Sequence, residues 1–137
     1  MRRILVDTNI VIDLLAKRKE FYEEAAELFS RSDKKELNLA ISSLTFAKAN
    51  YVLSKLKSAK EAREILRKFK VLVKILNLND KITSLALSDD DFPDFEDGLQ
   101  YYSAMENQLE IIITRNKKDF KNSKIPVLTA KEFLAIR

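Results

Sequence analysis

Residues 4–13 read ILVDTNIVID: three aliphatic side chains, then Asp7, Thr8 and Asn9, then apolar residues again. A short hydrophobic run bounded by polar residues has the character of a buried strand. Its abrupt polar end admits two readings. Thr and Asn are common helix caps, so the strand is turning into a helix; or the strand delivers the Asp7 carboxylate to a ligand.

Working outward, four more β-rich runs follow at 38–41 (NLAI), 71–76 (VLVKIL), 111–114 (IIIT) and 126–128 (PVL), beside the first strand at 3–7. Helix-length segments separate them, with apolar residues at i, i+3, i+4 and i+7 over 20–31, 44–56, 59–69, 79–88 and 95–107, and a last turn or two near 130–136. A parallel crossover needs a dozen or more residues, so strands alternating with helices predict a three-layer α/β/α sandwich on a mostly parallel five-stranded, Rossmann-like sheet. The 137 residues, 46% of them hydrophobic, suit a single domain over 1–137.

Composition removes several chemistries. Cysteine and histidine are absent, which excludes disulfides, thiolate or imidazole metal sites and a Ser-His-Asp triad. Gly98, Pro93 and Pro126 are the only Gly and Pro, so a glycine-rich phosphate loop is excluded too. Apolar runs such as IIIT are far too short to cross a bilayer, and the expectation is a soluble cytoplasmic protein that makes no membrane contact. The net charge of +4, from 25 Lys and Arg against 21 Asp and Glu, permits a nucleic-acid partner without demanding one.

Any hydrolysis must therefore rest on carboxylates. In an open parallel sheet, ligands bind beyond the carboxyl ends of the strands, and three segments carry polar groups there. They are Asp7 with Asn9; residues 89–104, where Asp94 and Asp97 lie one turn apart at a helix start; and residues 111–120, where Thr114, Asn116 and Asp119 follow an aliphatic strand. Singly, Asp94 or Asp97 reads as a cap favoured by the helix dipole. Gly98 argues against that bland reading, since glycine inside a helix costs about 0.5–1 kcal/mol, and its bare backbone leaves room beside Asp97. If the segments meet, two carboxylates about 4 Å apart repel by about 4 kcal/mol at an effective dielectric of 20, which a divalent cation relieves. Oxygen ligands alone select Mg²⁺ or Mn²⁺, whose chemistry with water suits phosphodiester hydrolysis.

Four blocks now stand in order: ILVDTNIVID, AISSLTFAKANYVL (40–53), DFEDGLQYYSA (94–104), and IIITRNKKDF (111–120) followed by IPVLTAKEFL (125–134). Together they resemble the PIN-domain family, of the VapC-like toxin type, over nearly the whole chain. The resemblance implies a metal-dependent endoribonuclease, with Asp7 and Asp97 as metal ligands and Asn116 at a further catalytic position. It gives Asn9 and Thr114 the task of orienting Asp7 and a water, and makes Asp94, as a metal ligand, and Asp119 accessory acids. It also implies a homodimer and a small antitoxin partner.

The sequence departs from the family pattern at Lys48, where a Glu is usual, and residues 37–60 contain no Asp or Glu at all. Two readings stay open: the Lys48 ammonium lies in the pocket and displaces a cation, leaving a weakened module that binds RNA or protein, or it points elsewhere and a metal remains. A phosphate-accepting receiver-like domain is a third possibility, disfavoured because VLVKIL delivers no Asp at its end. For RNA, Arg115, Lys117 and Lys118 flank Asn116 and are the expected substrate contacts. The basic stretch 55–70 reads as a solvated face or a phosphate track. Of Tyr101 and Tyr102 at least one is expected in the core, an exposed one being free to stack on a base.

Overall fold

The computed structural model describes residues 2–136. Strands β1 (Arg3–Val6), β2 (Asn38–Ser42), β3 (Lys74–Leu76), β4 (Ile111–Ile113) and β5 (Val127–Leu128) form one sheet in the order β3-β2-β1-β4-β5, every neighbouring pair parallel. They are joined by helices α1 (Thr8–Leu15), α2 (Tyr22–Asp33), α3 (Ser43–Leu56), α4 (Ala59–Phe69), α5 (Asp80–Ser88), α6 (Phe95–Glu106) and α7 (Ala130–Leu134), with 3-10 turns at 70–72 and 117–120.

The period-two alternation of the strands builds the layers. Ile4 and Val6, Leu39 and Ile41, and Ile111 and Ile113 face one side, where Ile10, Leu28, Leu53, Leu66 and Phe133 come down from α1 to α4 and α7. Leu5, Ala40 and Ile112 face the other side, against Tyr101 and Ala104 of α6 and Phe120. On that side α5 closes on α6 through Ile82, Ala86 and Leu99. A sheet covered on both faces explains why its strands read as continuous aliphatic runs, and it is the α/β/α sandwich expected. No helix among the described residues is long and apolar enough to cross a membrane.

Local chemistry sets the helix starts. The side chains of Ser58, Asn79 and Thr129 accept backbone N–H bonds from Glu61, Ile82 and Glu132 at 3.1, 2.9 and 3.1 Å, and Glu132 returns the bond to close a capping box. With glycine so scarce, α1, α2 and α6 are each followed by a non-glycine in the left-handed region: Lys17 (φ 52°), Lys35 (φ 62°) and Gln108 (φ 56°).

Two expectations change. The β3 strand begins at Lys74 rather than at 71, because 70–72 form a 3-10 turn in which Val71 is 84% exposed and the Leu72 carbonyl is taken by the Ser32 hydroxyl at 2.7 Å. Helix α1 lies outside the segments that helical spacing marks, because Ile10, Val11 and Ile12 are all buried and leave no polar stripe to read.

Strand order reverses between β1 and β4, since β2 and β3 extend the sheet one way and β4 and β5 the other. A crevice at the carboxyl end of such a switch point is where open α/β sheets bind ligands. The Asp7 N–H extends the β1–β4 pairing to the Ile113 carbonyl at 2.9 Å, and Thr114 follows directly on β4. Asp7 and Thr114 therefore stand side by side at the mouth of the crevice.

Candidate active site

Asp7 resolves the two readings of its strand by doing both jobs. It is the N-cap of α1, with Oδ1 accepting the Thr8 N–H at 2.8 Å, and it is 7% exposed at the switch point. Its Oδ2 accepts the Thr114 hydroxyl at 2.8 Å, and Gln100 of α6 donates to Oδ1 at 3.4 Å. Burial pushes the Asp7 carboxyl above its usual range; the Thr114 and Thr8 hydrogen bonds pull it back, while the Asp119 charge adds to the rise.

Helix α6 brings the second acid. Asp94 caps the helix, its Oδ1 accepting the N–H groups of Glu96 and Asp97 at 2.8 and 3.4 Å. Asp97 is half-buried in the first turn, and its carboxyl is pushed up to about 7, first by burial and then by the charges of Asp94, Asp7, Asp119 and Glu96. Four acids from three places in the chain, residue 7, residues 94–96 and residue 119, thus act on one carboxyl. That crowding is the electrostatic signature of a pocket short of positive charge.

Direct contact is another matter. Among the described residues no group of three or more acidic side chains stands close enough to cage an ion. The two observations are compatible, because charges repel through space at separations beyond those of shared coordination. A hard dication that keeps several waters needs only one or two carboxylates, so the donor set fits hydrated Mg²⁺ or Mn²⁺ and not an all-protein site.

The remaining site residues divide. Thr114 bridges the crevice, its Oγ1 also accepting the Asn116 N–H at 3.1 Å. Asn116 is half-buried and borders a cavity of about 290 Å³ with Phe21, Glu24, Arg115 and Lys131. Asn9 does not orient Asp7: both Asp7 oxygens are engaged by Thr8, Thr114 and Gln100, and no side-chain hydrogen bond of Asn9 is found among the described residues. Gln100 takes that place. Its Nε2 donates to Thr8 at 3.1 Å and Thr45 at 3.2 Å, whose hydroxyls meet at 2.8 Å, while its own Oε1 is buried without a partner among the described residues. Only a clue of periodicity, Gln100 one turn beyond Asp97, pointed to it in the sequence.

Basic residues are largely committed elsewhere. Arg115 forks onto Asp13 with N···O distances of 2.8 and 3.2 Å and lies over the Phe21 ring at 4.0 Å, because Asp13 is 1% exposed and needs a counter-charge. Lys117 pairs with Glu132 at 3.0 Å, and Lys118 is exposed with no ion pair among the described residues. Lys48 turns to Glu96, next to Asp97 in sequence, and makes no ion pair with Asp7 or Asp97. Tyr101 is core, stacked on Phe92 at 4.5 Å, and Tyr102 donates to Asp89 at 2.5 Å. Gly98 does not open the pocket: a Cβ there would meet Ala86 of α5 at 3.4 Å and Phe92 at 3.6 Å, so its bareness serves helix packing.

Comparison with known proteins agrees with this geometry. The PIN domain family model matches residues 3–118. Ribonuclease VapC1 of Aquifex aeolicus (strain VF5) is 29% identical over 138 aligned residues, covering 96% of this chain and 92% of that protein. A toxin-antitoxin complex from Klebsiella pneumoniae contains a chain 27% identical, with a TM-score of 0.68 over 93% of this chain and 97% of its own. A DNA-bound VapBC structure from Salmonella typhimurium shares the fold at 16% identity, with a TM-score of 0.72 over 95% of this chain and 99% of the other. Motif order, switch-point geometry and near full-length similarity converge, and the chain belongs to the PIN domain family, among its VapC-like members.

Proposed function

We propose that this protein is a divalent-metal-dependent endoribonuclease that hydrolyses RNA phosphodiester bonds at the β1–β4 crevice. The observation that carries the reading is Asp97, whose carboxyl is pushed up to about 7 by burial and by four other acids, Asp7 among them. Asp7 and Asp97 would hold Mg²⁺ or Mn²⁺, with Asp94 and Asp119 adding field from the rim. When bound, the ion supplies charge stabilisation at phosphoryl oxygens and a lowered proton affinity for water.

The chain's own residues do the positioning. Thr114 and Gln100 hold the Asp7 carboxylate in one orientation, and each hydrogen bond favours its ionised form. Asn116, tied to Thr114 through its backbone, would orient a water or a phosphate oxygen. Lys118 is the basic residue left free for RNA near the crevice, Arg115 and Lys117 being engaged with Asp13 and Glu132. The Lys48–Glu96 pair favours this reading over a weakened binding module, because the ion pair the ammonium makes is with Glu96 and not with Asp7 or Asp97.

Residues 1–137 act as one domain in this reading, and RNA as substrate accords with a cytoplasmic setting. A small antitoxin is the partner proposed, supported by the toxin-antitoxin complex among the similar structures; a homodimer is proposed on the family resemblance alone. The test is RNA cleavage by purified protein in Mn²⁺, with Mn²⁺ binding measured by calorimetry. Loss of cleavage with EDTA, and of cleavage and binding in Asp7→Asn, is expected; cleavage that persists in Asp7→Asn and Asp97→Asn removes the proposal.

A further inference from the structure

Helix α3 carries a feature that the acidic pocket does not use. Lys48, Tyr51 and Lys55 stand at i, i+3 and i+7, one face of the helix, and span about 10 Å along its axis. Lys48 begins the stripe, paired with Glu96 of α6. Tyr51 is 61% exposed, unusual for a ring with no hydrogen-bond partner among the described residues, and Lys55 caps it with Nζ 4.4 Å from the ring centroid. Beside the stripe, Ile12 of α1 and Ala47, Lys48, Tyr51 and Val52 of α3 line a shallow trough of about 240 Å³.

We propose that this trough is a nucleobase subsite for single-stranded RNA: one base takes the place of the Lys55 ammonium on the Tyr51 ring, and Lys48 and Lys55 take the phosphates on either side. The ligand class rests on the ribonuclease reading above. The pattern of cation, aromatic face and cation is what sequence-tolerant single-strand binding uses, with stacking on the ring and charge tracking the backbone. Lys55 has no carboxylate partner among the described residues and Lys48 has only the half-exposed Glu96, so the stripe keeps a net positive charge that suits a polyanion, which is why RNA is preferred to an apolar protein segment. The subsite also gives Lys48 a role: a phosphate replaces Glu96 as its counter-charge when RNA arrives.

The test is fluorescence anisotropy of a short labelled single-stranded RNA with the full-length protein in EDTA. Tyr51→Ala is expected to weaken binding by about 5- to 100-fold and Tyr51→Phe by less than about twofold, because the ring face is what stacks. Lys48→Gln and Lys55→Gln are each expected to lower the slope of log affinity against log salt by about 0.7. An RNA with one abasic position at the subsite should lose the same factor with wild type and nothing further with Tyr51→Ala, a result that misfolding of the variant would not produce. Unchanged affinity in Tyr51→Ala beside normal Mn²⁺-dependent cleavage overturns the subsite and leaves the nuclease reading standing. Tyr51-dependent binding with no cleavage under any metal does the reverse. A Tyr51→Ala variant that changes sedimentation but not RNA affinity makes the trough a protein interface and overturns the proposal, as does absence of RNA binding altogether.

Discussion

Replacing Asp97 by Asn should stabilise the metal-free protein near pH 8 and do nothing for it in acid. The Asp97 carboxyl sits at about 7 against an ordinary 3.8, so between those values the native protein holds a proton that the unfolded chain has released. Stability therefore falls as pH rises through that window, the contribution being fully present below 3.8 and lost above about 7. At about 1.4 kcal/mol per tenfold change in proton affinity the gross penalty at pH 8 is about 4 kcal/mol. Asp97 is half-exposed, and solvent screening reduces this to about 2 kcal/mol. Asn also forfeits about 0.5–1 kcal/mol of favourable interaction with the α6 dipole, leaving a net gain of about 1–1.5 kcal/mol. No hydrogen bond to the Asp97 carboxylate is lost, since none is found among the described residues. A domain of this size converts that to a rise of about 3–6 °C in Tm. Thermal unfolding in EDTA should show the rise at pH 8 and its disappearance near pH 4, and saturating Mn²⁺ at pH 8 should raise Tm of the wild type and not of the variant. A variant equally or less stable than wild type at both pH values would refute the idea that crowded negative charge is what the pocket is built around.

Further outcomes follow from single contacts. Asp13→Asn should cost about 1–3 kcal/mol and lower Tm by about 3–10 °C, measured by calorimetry, because it removes the carboxylate that pairs the partly exposed Arg115 and Arg18. Thr114→Val, which removes a hydroxyl from Asp7 and from the Asn116 N–H, should cost about 1–3 kcal/mol in urea unfolding and weaken Mn²⁺ binding. Gly98→Ala should be tolerated within about 1 kcal/mol, its Cβ meeting Ala86 at ordinary contact, whereas Gly98→Leu should cost about 1–3 kcal/mol by forcing α5 off α6. Gln108→Gly should raise stability by about 0.5–1 kcal/mol in denaturant melts, relieving a left-handed residue that keeps a side chain.

The layered fold was legible because burial on both faces writes itself into composition: IIIT and ILV have no other reason to be so apolar. Strand order and the β1–β4 switch were not, because alternation of strands and helices implies parallel neighbours without saying which strands adjoin. The arrangement of hydrogen bonds around Asp7 was not legible. Gln100, Thr45 and Thr8 lie far apart in sequence, and nothing in a glutamine's neighbours says that its amide will reach a carboxylate from another element. Asn9, adjacent to Asp7, was the local guess, and locality misled it. The same held for Arg115, whose position beside Asn116 suggested substrate until buried Asp13 claimed it.

By itself, then, the sequence determined the class of chemistry: with no His, no Cys and one Gly, only carboxylates were left, and their places after aliphatic strands put them at one end of a parallel sheet. Tertiary structure alone decided which carboxylates crowd together, which cations are already neutralised, and that Lys48 faces Glu96 rather than Asp7. The physical reason is range. Hydrophobic periodicity is a property of neighbours along the chain, whereas charge pairing and hydrogen bonding are properties of neighbours in space, and those exist only once the chain has folded.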